Sequence, residues 1–174
     1  MPNINLEGFK SNLFDICRPN RFMISITTGG LDFGFIEDDY YFVKGASIPG
    51  KTLGEIELNW QGHKYKVAGD PSFNDVTVTI LNNNADGGES VRDKFENWFH
   101  NISDDPANLR ANHKDYKCTV HIHQLDGQGE IIKTYDLINA HPKELSDIEL
   151  SMDSTDAVEE FTVVFSYSYF EISV

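Results

Sequence analysis

The sequence predicts a mainly β domain, a two-sheet sandwich or barrel-like body covered by one α-helix. Three observations carry that expectation. Residues 76–80 alternate strictly, with Val76, Val78 and Ile80 on one face and Asp75, Thr77 and Thr79 on the other. Residues 160–170 alternate over a longer run: Phe161, Val163, Phe165, Tyr167 and Tyr169 oppose Thr162, Val164, Ser166, Ser168 and Phe170. Between these runs Val91, Phe95, Trp98, Phe99 and Ile102 form one stripe at helical spacing, as a helix covering a sheet requires.

The elements follow in order. Leu6, Phe9, Leu13 and Ile16 recur at helical spacing, so residues 4–16 read as a short amphipathic helix stopped by Arg18-Pro19. Residues 1–17 then form an N-terminal arm. A strand over 21–27 ends at Gly29-Gly30. Glu37-Asp38-Asp39 reads as a solvated turn, Tyr40 to Lys44 as a strand, and Gly45 to Gly54 as an extended loop centred on Ile48-Pro49-Gly50.

Residues 55–68 are the best local hairpin. With Gln61-Gly62 as a two-residue turn, Trp60 faces His63, Leu58 faces Tyr65 and Ile56 faces Val67. On the other face Asn59 meets Lys64 and Glu57 meets Lys66, an opposite-charge pair. Gly69-Asp70-Pro71 reads as a tight turn feeding the 76–80 strand.

Ser90 and Asp93 imitate a capping box at the start of the helix, which ends before Pro106. Residues 103–116 are polar and loop-like. Lys117 to Leu125 and Ile131 to Ile138 read as strands around Asp126-Gly127-Gln128-Gly129. A final long hairpin closes the chain, with 160–170 as its second strand. No repeat or linker divides residues 1–174, which read as one domain.

The chain has 28 Asp and Glu against 14 Lys and Arg, a formal net charge of −14. That balance argues against nucleic-acid binding through a basic surface. No apolar run is long enough for a bilayer, and the N-terminus lacks a secretory pattern, so the expectation is a soluble protein made in a cytoplasm. Cys17 and Cys118 make no disulfide framework there and read as reduced, buried or half-buried thiols.

Candidate chemistry is sparse. His121 and His123 share a strand face, as two metal ligands would. The nearest following acids, Asp126 and Glu130, do not fit a cupin-type spacing, so the pair reads as surface histidines. Gly87-Gly88 could cradle a phosphate, but Asp86 and Glu89 flank them without a cation. There is no nucleophile elbow, P-loop or dinucleotide fingerprint. The expectation is a protein without catalytic residues, metal or cofactor.

Taken in order, several segments resemble the tail-tube proteins of contractile-tailed, T4-type bacteriophages. They are Arg18-Pro19-Asn20 with the strand 22–26, Ala46-Ser47-Ile48-Pro49 with the next hairpin, and Val67 to Leu81 with the helix after it. The last are Glu149 to Ser154 and Glu160 to Tyr169, which look like the family's closing strand pair. The resemblance spans residues 18–170.

It implies a structural subunit and no enzyme. It further implies hexameric rings in which the sheets join into a continuous β-barrel, stacked within a contractile sheath and bounded by baseplate and tube-terminator proteins. DNA would pass through the bore without specific binding, and the protein would reside in the virion. On this reading Ile48, Pro49, Lys51 and Leu53 are candidate inter-subunit residues. The N-terminal arm, the 45–54 loop with its hairpin, and the 103–116 loop are the segments expected to make stacking contacts. The bore should be polar and poor in cations, with Glu55, Glu57, Asp147 and Glu149, expected on strand faces, as candidate lumenal acids. A baseplate or tube-initiator protein and a contractile-injection inner-tube protein share the expected domain. A small ligand- or metal-binding β-module is the alternative from another class.

Overall fold

The computed structural model describes residues 6–11, 17–28, 33–35, 37–83, 88–104, 107, 109–155 and 157–174. The elements are α1 (Leu6–Ser11), β1 (Phe22–Thr28), a 3-10 helix (Glu37–Phe42), β2 (Val43–Ala46), β3 (Lys51–Trp60), β4 (His63–Phe73) and β5 (Val76–Leu81). Then follow α2 (Val91–Ile102), β6 (Ser103–Asp104), β7 (Leu109–Arg110), α3 (His113–Tyr116), β8 (Cys118–Leu125), β9 (Ile131–Leu145), β10 (Glu160–Ser166) and β11 (Tyr169–Ser173). Of the expected N-terminal helix, Leu13 and Ile16 lie outside the described residues, as do Gly29-Gly30 and Gly87.

The main sheet runs β1-β8-β9-β10-β5-β2, with β11 also on β9. It reads as two sheets sharing one strand. The first part of β9 pairs with β8 and β11, and its last residues, from His141, pair with β10. The corner is at Asn139, whose φ of 57° is left-handed and which sits where the β8–β9 register slips by a residue. β10 and β11 form the matching broken strand, interrupted at Tyr167-Ser168. The expected continuous strand 160–170 is therefore two strands. The expected closing pair is absent as well: the described residues of 146–159 form no strand, and β10 pairs instead with β5 and β9. Among the described residues the sheet does not close, and β1 and β2 end it.

The core lies between this curled sheet and α2. Val76, Val78, Ile80, Phe161, Val163 and Phe165 are buried from β5 and β10, as their alternation required. Phe95 and Trp98 of α2 pack on them, with the Phe95 ring 6.1 Å from both Phe161 and Phe165 and Phe33 stacked on Trp98 at 4.7 Å. Each such buried side chain stabilises by about 1.5–3 kcal/mol. The capping box is present: Ser90 Oγ accepts the Asp93 N–H, and the Asp93 carboxylate accepts the Ser90 N–H at 2.9 Å. Phe99 is only half-buried at the rim of the stripe.

Two readings of the first half need correction. Residues 37–42 are a 3-10 helix, so neither the solvated turn nor a strand from Tyr40 exists. Asp39 is buried and bonds Lys94 Nζ of α2 at 2.6 Å. The hairpin is also longer than expected. β3 begins at Lys51, inside the supposed loop, and β4 runs through Gly69-Asp70-Pro71 to Phe73. Within that triplet Gly69 and Asp70 form a bulge opposite Gly54, and Pro71 pairs with Leu53. A Cβ on Gly69 would lie 3.0 Å from the Gly54 backbone, so any other residue would push the two strands apart by a few tenths of an ångström at this close approach. The 103–116 segment carries the β6–β7 pair and α3 rather than loop alone.

Candidate assembly surfaces

The β3–β4 hairpin is exposed at nearly every residue. Its register is the expected one, Trp60 with His63, Leu58 with Tyr65 and Ile56 with Val67. Gln61 and Gly62 have φ of 47° and 83°, the two positive values that a type I′ turn needs. One face therefore presents Ile56, Leu58, Trp60, Tyr65 and Val67, with Trp60 72 % exposed. A single apolar side chain in water is ordinary; five in one stripe mark a contact surface.

The opposite face carries ion pairs shifted diagonally from the expected one. Lys64 meets Glu57 at 3.0 Å and Lys66 meets Glu55 at 2.7 Å. Two of the four candidate lumenal acids are thus accompanied by cations. The other two, Asp147 and Glu149, are not on a strand; they lie exposed in the coil after β9. At the hairpin's root Ile48, Lys51 and Leu53 are exposed, whereas Pro49 is buried in its own protomer.

The four strands β1, β8, β9 and β11 have a polar face that the sequence reading missed. From the register it holds Ser25 and Thr27, His121 and His123, Thr134 and Asp136, and Glu171 and Ser173, with Met23, Ile138 and Tyr169 also on it. No lysine or arginine of these strands stands on it. Hydrogen bonds join His121 to Asp136 (2.5 Å) and Thr27 (2.9 Å), and His123 to Thr134 (2.8 Å) and Ser25 (3.1 Å). All four ring nitrogens are engaged, and no group of three or more potential ligands that could hold a metal occurs among the described residues. Burial and the neighbouring His121 hold His123 below the usual histidine range. The signal was available as Ser25-x-Thr27 and Thr119-x-His121-x-His123, polar positions at period two in two predicted strands.

Both boundaries of this four-stranded part are free of strand partners among the described residues. The Arg21 carbonyl accepts the Leu125 N–H, so the odd-numbered residues of β1 turn their backbone groups toward β8. Those of Phe22, Ile24 and Ile26 therefore turn outward. A cleft lined by Phe22, Met23, Tyr40, Tyr41, Val43 and Leu125 runs beside that edge. In it the Tyr40 hydroxyl accepts the Ile26 N–H and donates to the Ile26 carbonyl, each at 3.2 Å.

The cysteines differ from each other. Cys17 is exposed, contrary to expectation, and Cys118 is buried, with burial pushing its thiol up. No described helix is long and apolar enough to cross a membrane.

The family model for phage tail tube proteins matches residues 10–173. The chain belongs to that family. It is 27% identical over 160 residues to tail tube protein gp19 of Enterobacteria phage T4, covering 90% of this chain and 92% of the relative. Among solved structures, the tube-terminating cap of the anti-feeding prophage matches with a TM-score of 0.68 at 16% identity, over 92% of this chain and 93% of that one. A chain of the sheath-tube complex of the extracellular contractile injection system PVC, in its extended state, matches with a TM-score of 0.66 at 14% identity. That match covers 98% of this chain and 99% of the other. At these identities the two structures establish a shared fold. The exposed hairpin and the free sheet edges are thus surfaces of a tail-tube subunit.

Proposed function

We propose that this tail-tube chain is the repeating subunit of a contractile tail's inner tube, closing into hexameric rings that stack into a conduit for DNA. Its role is mechanical, with no cofactor, metal or catalytic step. β1, β8, β9 and β11 alternate in direction, so the boundary strands β1 and β11 run oppositely. β11 of one copy then fits the free edge of β1 in the next as a further antiparallel pair, and cyclic repetition removes both edges of this four-stranded part.

The bore wall in this arrangement is the polar face. DNA phosphates bind lysine and arginine and would drag on a cationic wall. This face offers hydroxyls, imidazoles, Asp136 and Glu171. Of the acids expected from the sequence to face the bore, Glu55 and Glu57 are partnered by Lys66 and Lys64, and Asp147 and Glu149 sit off the sheet. The sheath surrounds the tube, and baseplate and terminator proteins bound it. Assembly takes place in the host bacterial cytoplasm and the product resides in the virion.

The observation that carries this reading is the hairpin. It holds a five-residue apolar face in water, and such a face is covered by a neighbouring copy in the stack. Ile48, Lys51 and Leu53 offer further exposed contacts at its root, Lys51 and Leu53 on the face of Glu55 and Glu57, and buried Pro49 fixes where the root leaves the body. The family match to a tail tube protein over 90% of the chain favours the tube over a baseplate or initiator role.

The test is electron microscopy of the purified chain, alone and with baseplates, beside a Leu58→Asp/Trp60→Asp variant. Wild type should form rings or tubes, and the variant should stay monomeric with an unchanged melting temperature. Tubes formed equally well by the variant would remove the hairpin from the stack. Wild type left unincorporated even on baseplates would remove the tube reading itself.

A further inference from the structure

The edge that ring closure needs is partly covered in the isolated chain. Ile26 turns both its N–H and its carbonyl away from β8, and one phenol oxygen, that of Tyr40, satisfies both at 3.2 Å. Only a group that donates and accepts can do this from a single atom, which tyrosine can and phenylalanine cannot. The phenol is held there from behind. Its neighbour Asp39 is buried against Lys94 of α2, so the 3-10 helix is pinned to the helix on one side and to β1 on the other. The next residue, Tyr41, is 83 % exposed at the mouth of the same cleft, so the way out is open to solvent.

We propose that Tyr40 is an edge guard, a built-in brake on assembly. The inference rests on the ring-closure reading above. In the free subunit the phenol occupies the position on β1 that a neighbour's β11 must take. Pairing at Ile26 therefore requires the hydroxyl to leave. The two hydrogen bonds are exchanged for two ladder bonds, so closure gains nothing at that residue until the rest of the strand has paired. An unpaired sheet edge recruits other chains indiscriminately. A guarded one yields mainly to a partner that engages many positions together, as a subunit already set on a growing tube does.

The experiment compares wild type with Tyr40→Phe, which keeps the ring in the cleft and deletes only the hydroxyl. Sedimentation gives the critical concentration for assembly, and amide hydrogen exchange reads Ile26. Losing two hydrogen bonds that only the free subunit makes should lower the critical concentration about tenfold and shorten the lag. The Ile26 amide should be protected in the wild-type monomer, exposed in the variant monomer, and protected in tubes of both. A critical concentration unchanged or raised by Tyr40→Phe would overturn the guard. So would wild-type rings in which the Tyr40 hydroxyl still sits on Ile26, although these leave ring formation itself intact. If neither chain forms rings, with or without baseplates, the ring-closure reading falls and the guard falls with it.

Discussion

Lys94 is the one lysine placed in the apolar stripe of α2, and replacing it with methionine tests whether the Asp39 pair organises the first half of the chain. The two side chains are 9 % and 7 % exposed and meet at 2.6 Å, so solvent screening does little to weaken them. Removing the cation takes the Lys94 ammonium away from a buried carboxylate, and breaking a buried pair costs about 3–5 kcal/mol. For a chain of this size 1 kcal/mol moves the melting temperature by roughly 2–4 °C. Lys94→Met should therefore melt about 10 °C lower, or show the equivalent loss in urea unfolding of the monomer. The double variant Asp39→Leu/Lys94→Met removes both charges and should recover most of that loss, because a buried ion pair and its apolar replacement are often close in stability. A single-variant loss under about 1 kcal/mol, or a double variant no more stable than Lys94→Met, would refute the argument that burial gives this pair its weight.

Ser90→Ala removes the helix cap and should cost about 1 kcal/mol at neutral pH. The Ser90 hydrogen bonds hold the Asp93 carboxyl below its ordinary value of 3.8, so the carboxylate's share of the cap is present above that pH and is lost as pH falls through the lowered native value, while the Ser90 Oγ bond from the Asp93 N–H stays. Wild type and Ser90→Ala should then draw closer in an acid titration of unfolding without meeting. His123 is held below 6.5, mainly by burial. The folded state thus binds its proton less readily than the unfolded state, and stability is lost as pH drops below 6.5. His123→Gln should flatten the fall in melting temperature between about pH 6.5 and 5. Glu171→Lys places a cation on the proposed bore wall; tubes should still form, and DNA ejection should slow most at low salt. Ejection unchanged at every ionic strength would move β11 off the bore.

The hairpin register could be read residue by residue because alternation and a two-residue turn fix each other. Its length could not. Gly69-Asp70-Pro71 has the composition of a turn, and only the opposite strand shows that its first two residues form a bulge. The helix was legible to its cap, since capping and periodicity are both local. Asp39 was not, because a run of three acids looks solvated until a lysine from another element arrives. The 160–170 run hid a reversal at its break: Tyr169, expected on the face of Phe161 and Phe165, stands exposed on the face of Glu171, and Phe170 packs against the core instead, so the pattern overstated the strand. Free sheet edges were anticipated in kind but not in place. Which boundary of a sheet is free depends on the order of strands in space, and Ser25, Thr27, His121 and His123 form a surface only when β1 lies beside β8.

β9 belongs to both halves of the sheet, fifteen residues without a chain break through the corner at Asn139. Its companion, the β10–β11 strand, turns the same corner. A force applied to one half is therefore carried to the other along two covalent backbones and the ladder between them. Sliding one half against the other would have to break that ladder along its length rather than peel it from an end. The subunit should transmit axial thrust as a stiff bracket, and deformation under load should be confined to its projecting hairpin.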